Sequence, residues 1–194
     1  RPEATGYGAV YFAEKMLETK NDSFKGKNVV ISGSGNVAQF AAEKVIQLGG
    51  KVLTLSDSSG YIYDSSGIDS EKLTFVMQLK NVKRGRISEY LETYPNAEFI
   101  KGKTPWGVSC DVALPCATQN ELNLEDAKAL LENGCKCVSE GANMPSTAQA
   151  VDLFIETKIA YGPGKAANAG GVSTSQLEMA QNASMLSWTF EEVD

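Results

Sequence analysis

The chain has 194 residues, 42% of them hydrophobic and 22% charged, with a formal net charge of −6. This composition suits one ordinary globular unit or two small ones and points away from a disordered or membrane-spanning chain. The acidic balance argues against a general binder of nucleic acid or anionic membrane, no apolar run approaches transmembrane length, and no signal peptide is expected.

In chain order, Arg1–Gly8 leads into a helix from about Tyr7 to Thr19, with Thr5 as N-cap and Val10, Ala13, Met16 and Leu17 on its apolar face. Val29, Val30 and Ile31 read as a buried parallel strand. Gly33-Ser34-Gly35-Asn36-Val37-Ala38 follows at once as a glycine turn opening a helix, which Gly49-Gly50 stops. A second strand, Val52–Ser56, ends at Asp57, and Ser58-Ser59-Gly60 turns the chain. Tyr61–Tyr63 is a short strand closed by an Asp64-Ser65-Ser66-Gly67 turn. Helices are expected over Ser70 to about Lys83 and over Ser88–Tyr94, the latter stopped by Pro95. Glu98–Ile100 and Asp111–Pro115 read as strands, then Leu124–Asn133 as a helix closed by Gly134. Cys137–Glu140 (strand), Thr147–Glu156 (helix), Ile159–Tyr161 (strand) and a long helix from about Gly171 to Ser187 complete the chain. There is no repeat or linker. The reading is one α/β domain, doubly wound on a mostly parallel sheet.

The glycine turn carries the chemistry. Gly33 permits the tight turn, Gly35 has no side chain to hold a pyrophosphate off the backbone, and Ala38 lets helix and strand pack closely. The free amides at the helix start suit a diphosphate. Such a turn alone arises by chance, but strand, turn, helix, strand and acid in this order match the dinucleotide fingerprint of a Rossmann-type domain. Three later strand ends, at Asp111–Asn120, Val138–Pro145 and Ile159–Gly171, pass from apolar runs into small or amide residues. Thr118, Gln119, Asn143 and Asn168 there suit a nicotinamide carboxamide and ribose hydroxyls, although singly each is an ordinary turn residue.

Asp57 ends the second strand about 20 residues beyond the turn, where an acid binds the ribose 2′-hydroxyl and signals NAD. At about 5 Å it would repel a 2′-phosphate by roughly 3 kcal/mol at an effective dielectric near 20. Ser58, however, can donate to such a phosphate, and Lys80–Arg86 is the densest basic cluster in the chain. Lys80 and Lys83 share a face if the helix reaches that far. On pattern alone the cluster is a solvated surface. The four cysteines, Cys110, Cys116, Cys135 and Cys137, form no CxxC pair and the chain has no His. No metal site is expected, and free thiols in a reducing cytoplasm are. Without His, any acid–base step falls to Lys, Asp, Glu, Tyr or Cys.

Together, Arg1–Gly8, the Gly33–Ala38 turn, Pro115–Asn120, Gly141–Pro145 and Lys165–Val172 resemble hexameric glutamate dehydrogenase of the bacterial NADP-using type, across essentially the whole chain. The resemblance implies reversible oxidative deamination of L-glutamate to 2-oxoglutarate and ammonium, in a cytoplasmic homohexamer. It also implies that the family's substrate domain, with its catalytic Lys and Asp, and its C-terminal helices lie outside these residues. Residues 1–194 are then the NAD(P)-binding domain alone, expected to bind NADP, with NAD weaker, and to carry no catalytic residue. Carried over by position, Thr5 is expected near the nicotinamide and Asn36 at the pyrophosphate, within a turn of Gly33, Ser34, Gly35 and Val37. Ala117, Thr118, Asn143 and Asn168 match the nicotinamide half. Val172 and Ser175 match the substrate pocket, with Ser175 toward the side-chain carboxylate. NADP-using members keep the Asp57-Ser58 pair and carry basic residues at Lys80, Lys83 and Arg86. Two alternatives stay open: a sister enzyme for an apolar amino acid, whose pocket should not need Ser175, and a stand-alone NADP(H)-sensing module.

Overall fold

The computed structural model describes residues 2–194; Arg1, the first residue of the N-terminal motif, lies outside them. Seven strands are β1 (Asn28–Ile31), β2 (Lys51–Asp57), β3 (Gly60–Ile68), β4 (Glu98–Lys101), β5 (Val112–Leu114), β6 (Cys137–Ser139) and β7 (Ala160–Gly162). They form one sheet in the order β4-β3-β2-β1-β5-β6-β7. The helices are α1 (Ala4–Glu18), α2 (Asn36–Gln47), α3 (Ser70–Met77), α4 (Tyr90–Thr93), α5 (Leu124–Glu132), α6 (Ala148–Glu156), α7 (Gly164–Ala167), α8 (Gly170–Ser184) and α9 (Phe190–Val193). Strands β2, β1, β5, β6 and β7 run parallel; at one edge β3 pairs antiparallel with β2, and β4 pairs antiparallel with β3.

The apolar run of β1 is buried on both faces because helices cover both. Val29 and Ile31 pack with Val10, Ala13 and Leu17 of α1 and with Ala38, Ala41 and Val45 of α2. Val30, on the opposite face, packs with Ala127 and Leu130 of α5, Phe154 of α6 and the fully buried Trp106. β1 pairs with β2 on one side and β5 on the other, so the winding reverses there and a crevice opens beyond the carboxyl ends of the strands.

Helix α1 begins at Ala4, earlier than the sequence suggests, and Thr5 is not its N-cap. Glu3 holds that position in helical geometry, and Thr5 lies inside the first turn. The small residues around Thr5 serve packing instead. A Cβ on Gly6 would sit 2.6 Å from both Val37 O and Ala41 N, and one on Gly8 would sit 2.9 Å from Gly170 Cα. Bare backbone thus brings α1 against α2 and α8 and carries Thr5 to the crevice.

Two further expectations are corrected. Asp64-Ser65-Ser66-Gly67 does not end a strand; β3 runs on to Ile68 and these residues form a bulge against β2. The turn chemistry is present but embedded, since Asp64 Oδ1 accepts from Ser66 N at 3.0 Å and Ser66 Oγ at 2.5 Å. Lys72 Nζ (2.8 Å) and Tyr90 OH (2.9 Å) on Asp64 Oδ2 hold the bulge in place. After Ser70 the α-helix ends at Met77 and widens into a π turn over Gln78–Val82. Lys80 and Lys83 are therefore not related by α-helical spacing. The helix α7, the last helix α9 and the 3₁₀ turn Pro105–Gly107 that buries Trp106 had no counterpart in the sequence reading.

Candidate functional site

The glycine turn sits at the crevice. Ser32 and Ser34 are buried, and Ser32 Oγ accepts from Cys116 N at 2.9 Å, tying β1 to the loop after β5. Gly33 has φ +82°, and a Cβ on it would lie 2.9 Å from Cys116 O, so both conformation and space demand glycine. Gly33 N donates to Ser56 Oγ at 2.7 Å, and Ser56 N donates to Gly33 O at 2.9 Å. Gly35 differs. Its backbone is ordinary and a Cβ on it would meet nothing within 4 Å. The structure needs Gly33 for the fold and leaves Gly35 facing open space. Helix α2 starts directly behind, with no side chain capping its first amides, while Asn36 Nδ2 donates to Pro2 O at 2.6 Å.

A cleft of about 870 Å³ opens beyond the carboxyl ends of β5, β6 and β7. It brings together Thr5, Val37, Ala117, Thr118, Asn143, Asn168, Val172 and Ser175, all singled out from sequence. The loops after β5 and β6 that carry Ala117, Thr118 and Asn143 are tied to each other. Gly141 N and Ala142 N both donate to Pro115 O at 2.9 Å, Asn120 N donates to Met144 O at 3.0 Å and Leu122 N to Pro145 O at 3.0 Å. Asn168 Nδ2 donates to Asn143 Oδ1 at 2.8 Å, so the two amides form one polar wall. Ser175 Oγ donates to Gly171 O at 3.0 Å, one turn back in α8. Lys165, given no role from sequence, also lines the cleft. A second cavity of about 420 Å³ lies between α1, α8 and α9, and no candidate site residue lines it.

Glu121 lies under the cleft floor. Its Oε1 accepts from Ala117 N at 2.9 Å and Thr118 N at 3.3 Å. Burial pushes its carboxyl above the ordinary range, only partly opposed by the Ser32 hydroxyl and those two amides. Burial likewise pushes the Cys116 thiol up, which keeps it protonated and unreactive. All four cysteines are buried and free. Among the described residues no group of three or more His, Cys, Asp or Glu could hold a metal ion, and no helix is long and apolar enough to cross a membrane.

At the end of β2 a separate corner gathers Asp57, Ser58, Lys80 and Arg86. Asp57 does not project freely, as the simple fingerprint assumes. Its Oδ1 accepts from Ser59 N (2.8 Å) and Ser59 Oγ (2.5 Å), and its Oδ2 accepts from Ile87 N (2.9 Å) and faces Lys80 Nζ at 3.4 Å. Burial opposes its ionisation, but the Ser59 hydroxyl, the two amides and Lys80 outweigh burial and hold the carboxyl below its ordinary value. Lys80 Nζ also donates to Gly85 O at 2.9 Å, and Arg86 donates from its guanidinium to Ser58 Oγ at 2.9 Å. Lys83 is not drawn into the corner: it is exposed and follows the π turn, its backbone N donating to Gln78 O.

Fold and site define an α/β protein with an open, mostly parallel sheet, a glycine turn at its switch point and a polar cleft beyond the strand ends. The family model of the glutamate/leucine/phenylalanine/valine dehydrogenases matches residues 1–194, and the chain belongs to that family. It is 58% identical over 194 residues to the NADP-specific glutamate dehydrogenase of Haemophilus influenzae, covering 100% of this chain and 43% of that protein. It is 55% identical to the NAD-specific glutamate dehydrogenase of Bacteroides fragilis, covering 100% of this chain and 44% of that protein. The crystal structure of Plasmodium falciparum glutamate dehydrogenase superimposes with a TM-score of 0.96 at 51% identity, covering 100% of this chain and 41% of that one. The chain thus spans less than half the length of these relatives.

Proposed function

We propose that residues 1–194 form the Rossmann-type coenzyme domain of a glutamate dehydrogenase, binding NADP(H) in preference to NAD(H). One observation carries the reading: a single cleft beside the Gly35 turn gathers Thr5, Val37, Ala117, Thr118, Asn143, Asn168, Val172 and Ser175 from separate segments of the chain. The residues fit a dinucleotide. Open space at Gly35 and the uncapped start of α2 would receive the pyrophosphate, with Ser34, Asn36 and Val37 around it. The Asn143–Asn168 wall with Ala117 and Thr118 would orient a nicotinamide carboxamide, and Thr5 would flank it. Gly33 shapes the turn. Asp57, Ser58, Lys80 and Arg86 would take the 2′ end, with Lys83 as a more distant cation.

In this reading L-glutamate, water and oxidised coenzyme give 2-oxoglutarate, ammonium, reduced coenzyme and a proton, reversibly. The nicotinamide, when bound, supplies the hydride acceptor or donor. Val172 and Ser175 would border the substrate, the Ser175 hydroxyl turning from Gly171 O toward its side-chain carboxylate. A hydroxyl at that place favours glutamate over an apolar amino acid. Acid–base groups would come from the remaining length that the relatives possess, and the four free buried thiols suit a cytoplasmic protein. The full protein would be a homohexamer, like the enzymes the chain resembles.

Titrating NADPH and NADH into the chain by nucleotide fluorescence tests the reading. Saturable binding of both, tighter for NADPH, is expected; no binding of either would overturn it.

A further inference from the structure

Gln39, in the first turn of α2, is 1% exposed, and both ends of its carboxamide are occupied. Its Nε2 donates to Ser34 O at 2.8 Å, within the glycine turn, and to Asn81 Oδ1 at 3.1 Å. Its Oε1 accepts from Asn81 Nδ2 at 2.9 Å. The two amides therefore form a reciprocal pair between residues distant in sequence. Asn81 lies in the π turn of Gln78–Val82, beside Lys80. One side-chain pair thus joins the glycine turn to the segment that carries Lys80.

The apolar packing between α2 and α3 is non-directional and would tolerate a small slide or rotation of the π turn. A reciprocal amide pair would not, because both hydrogen bonds are made in only one register. The register matters because Lys80 Nζ must meet Asp57 Oδ2 and Gly85 O together. We propose that the Gln39–Asn81 pair is a positioning device that fixes Lys80 relative to the glycine turn and so sets the discrimination between a 2′-phosphate and a 2′-hydroxyl. This rests on reading the Asp57–Ser58–Lys80–Arg86 corner as the 2′ end. A ligand with a 2′-phosphate depends on where the ammonium stands. A ligand with a 2′-hydroxyl hardly does, so the effect should fall on one coenzyme and spare the other.

The experiment is a double-mutant cycle on the full chain: wild type, Asn81→Ala, Lys80→Ala and the double variant, each titrated with NADPH and NADH, with thermal melting as a check on folding. Asn81 is exposed, so its truncation leaves the core intact, and Asn81→Ser serves as a second variant expected to behave alike. Asn81→Ala should weaken NADPH about fivefold, the equivalent of one hydrogen bond, and change NADH by less than about twofold. In the Lys80→Ala background it should leave the NADPH-to-NADH ratio unaltered, because its effect passes through Lys80. Equal loss for both coenzymes, or the same change in ratio with and without Lys80, would make the pair merely structural. If Lys80→Ala itself leaves the ratio unchanged, the assignment of the 2′ end fails, and this inference falls with it.

Discussion

Arg86 donates from its guanidinium to Ser58 Oγ at 2.9 Å, across the turn that leaves β2. The serine hydroxyl and the cation next to the acid Asp57 are thus already assembled. Hydrogen bonds to charged groups contribute about 1.5–3 kcal/mol each, and Asp57 meets its own donors, so the repulsion anticipated for a 2′-phosphate bound here would be largely offset. NADPH should bind more tightly than NADH, by a margin that shrinks as salt rises. Changing Lys80 and Arg86 together to Ala should remove most of that margin and leave NADH affinity nearly unchanged. Titration of both coenzymes at two salt concentrations checks this; equal losses for both in the variant would refute it.

The two glycines of the turn should respond oppositely. Gly35→Val puts a branched side chain into empty space, so the melting temperature should hold while both coenzymes bind more weakly. Gly33→Val combines a left-handed backbone, costing about 1–2 kcal/mol for a residue with a Cβ, with a collision against Cys116 O. That variant should lose stability first. A Gly35→Val protein that fails to fold, or binds coenzyme normally, would contradict this account.

The 194 residues alone should bind coenzyme without turning over glutamate. General acid–base steps are typically worth about 10²–10⁴-fold each, and the proposed reading assigns them elsewhere. A spectrophotometric assay with glutamate and NADP decides: rates near those of an ordinary enzyme, roughly 1–10³ per second, would place the acid–base groups within this chain.

Helix α1 should be intolerant of a single methyl at Gly6. A Cβ there lies 2.6 Å from two backbone atoms of α2, which cannot yield as a flexible side chain could. Gly6→Ala should cost about 1–3 kcal/mol by overpacking, read as a lower denaturation midpoint. Because Thr5 adjoins Gly6, coenzyme affinity should fall as well. A variant of unchanged midpoint would mean that α1 shifts freely.

Two kinds of carboxylate should give opposite pH dependences. At Asp64, burial is outweighed by Lys72, Ser66 and Tyr90, which hold the carboxyl below its ordinary value. Its folded form binds protons more weakly than the unfolded chain, so its stabilisation is full above the ordinary aspartate value of about 3.9 and is lost as pH falls through the lowered value. Glu121 is raised, so the folded chain holds that proton longer, and stability drops as pH rises from the ordinary glutamate value, about 4.3, toward the raised one. Asp64→Asn should flatten the acid side of a melting-temperature profile. Glu121→Gln should gain on the wild type as pH rises through its window, since an amide oxygen can still accept from Ala117 N and Thr118 N. A Glu121→Gln difference independent of pH would show that this carboxyl is not raised.

The elements that were legible in the sequence are those fixed by local chemistry. The β-branched run of Val29–Ile31, the bracketing of α2 by Gly35 and Gly49, and the alternation of strands and helices from Asp111 to Tyr161 depend on neighbours a few residues away. The cleft was legible too, because in a parallel sheet successive strand ends meet at one edge. What escaped depends on distant partners. Asp64 has the residues of a turn, and only the pairing of β3 with β2 on either side of it shows that the turn is a bulge, which Lys72 and Tyr90 then hold from other elements. Asp57 looks like a reader of ribose until Ile87 N and Lys80 are seen on it. Gln39 looks like an ordinary polar helix residue, and Trp106 stands in a stretch with no periodicity, although it is fully buried.

The saturation of Asp57 bears on attempts to switch coenzyme preference by design. Replacing the acid with a neutral residue is the intuitive route toward stronger phosphate binding. Here any neutral residue would remove the charge that moors Lys80, and one without an acceptor oxygen would strand the Ile87 amide as well, dismantling the corner that should hold the phosphate. The converse redesign is the easier one. Removing the two cations would leave a carboxylate still pinned by Ser59 and Ile87 at the strand end, ready to accept from a ribose diol. At a 2′ end built in this way, selectivity would be more readily lost toward NAD than gained toward NADP, and a designer should leave Asp57 alone and work on its neighbours.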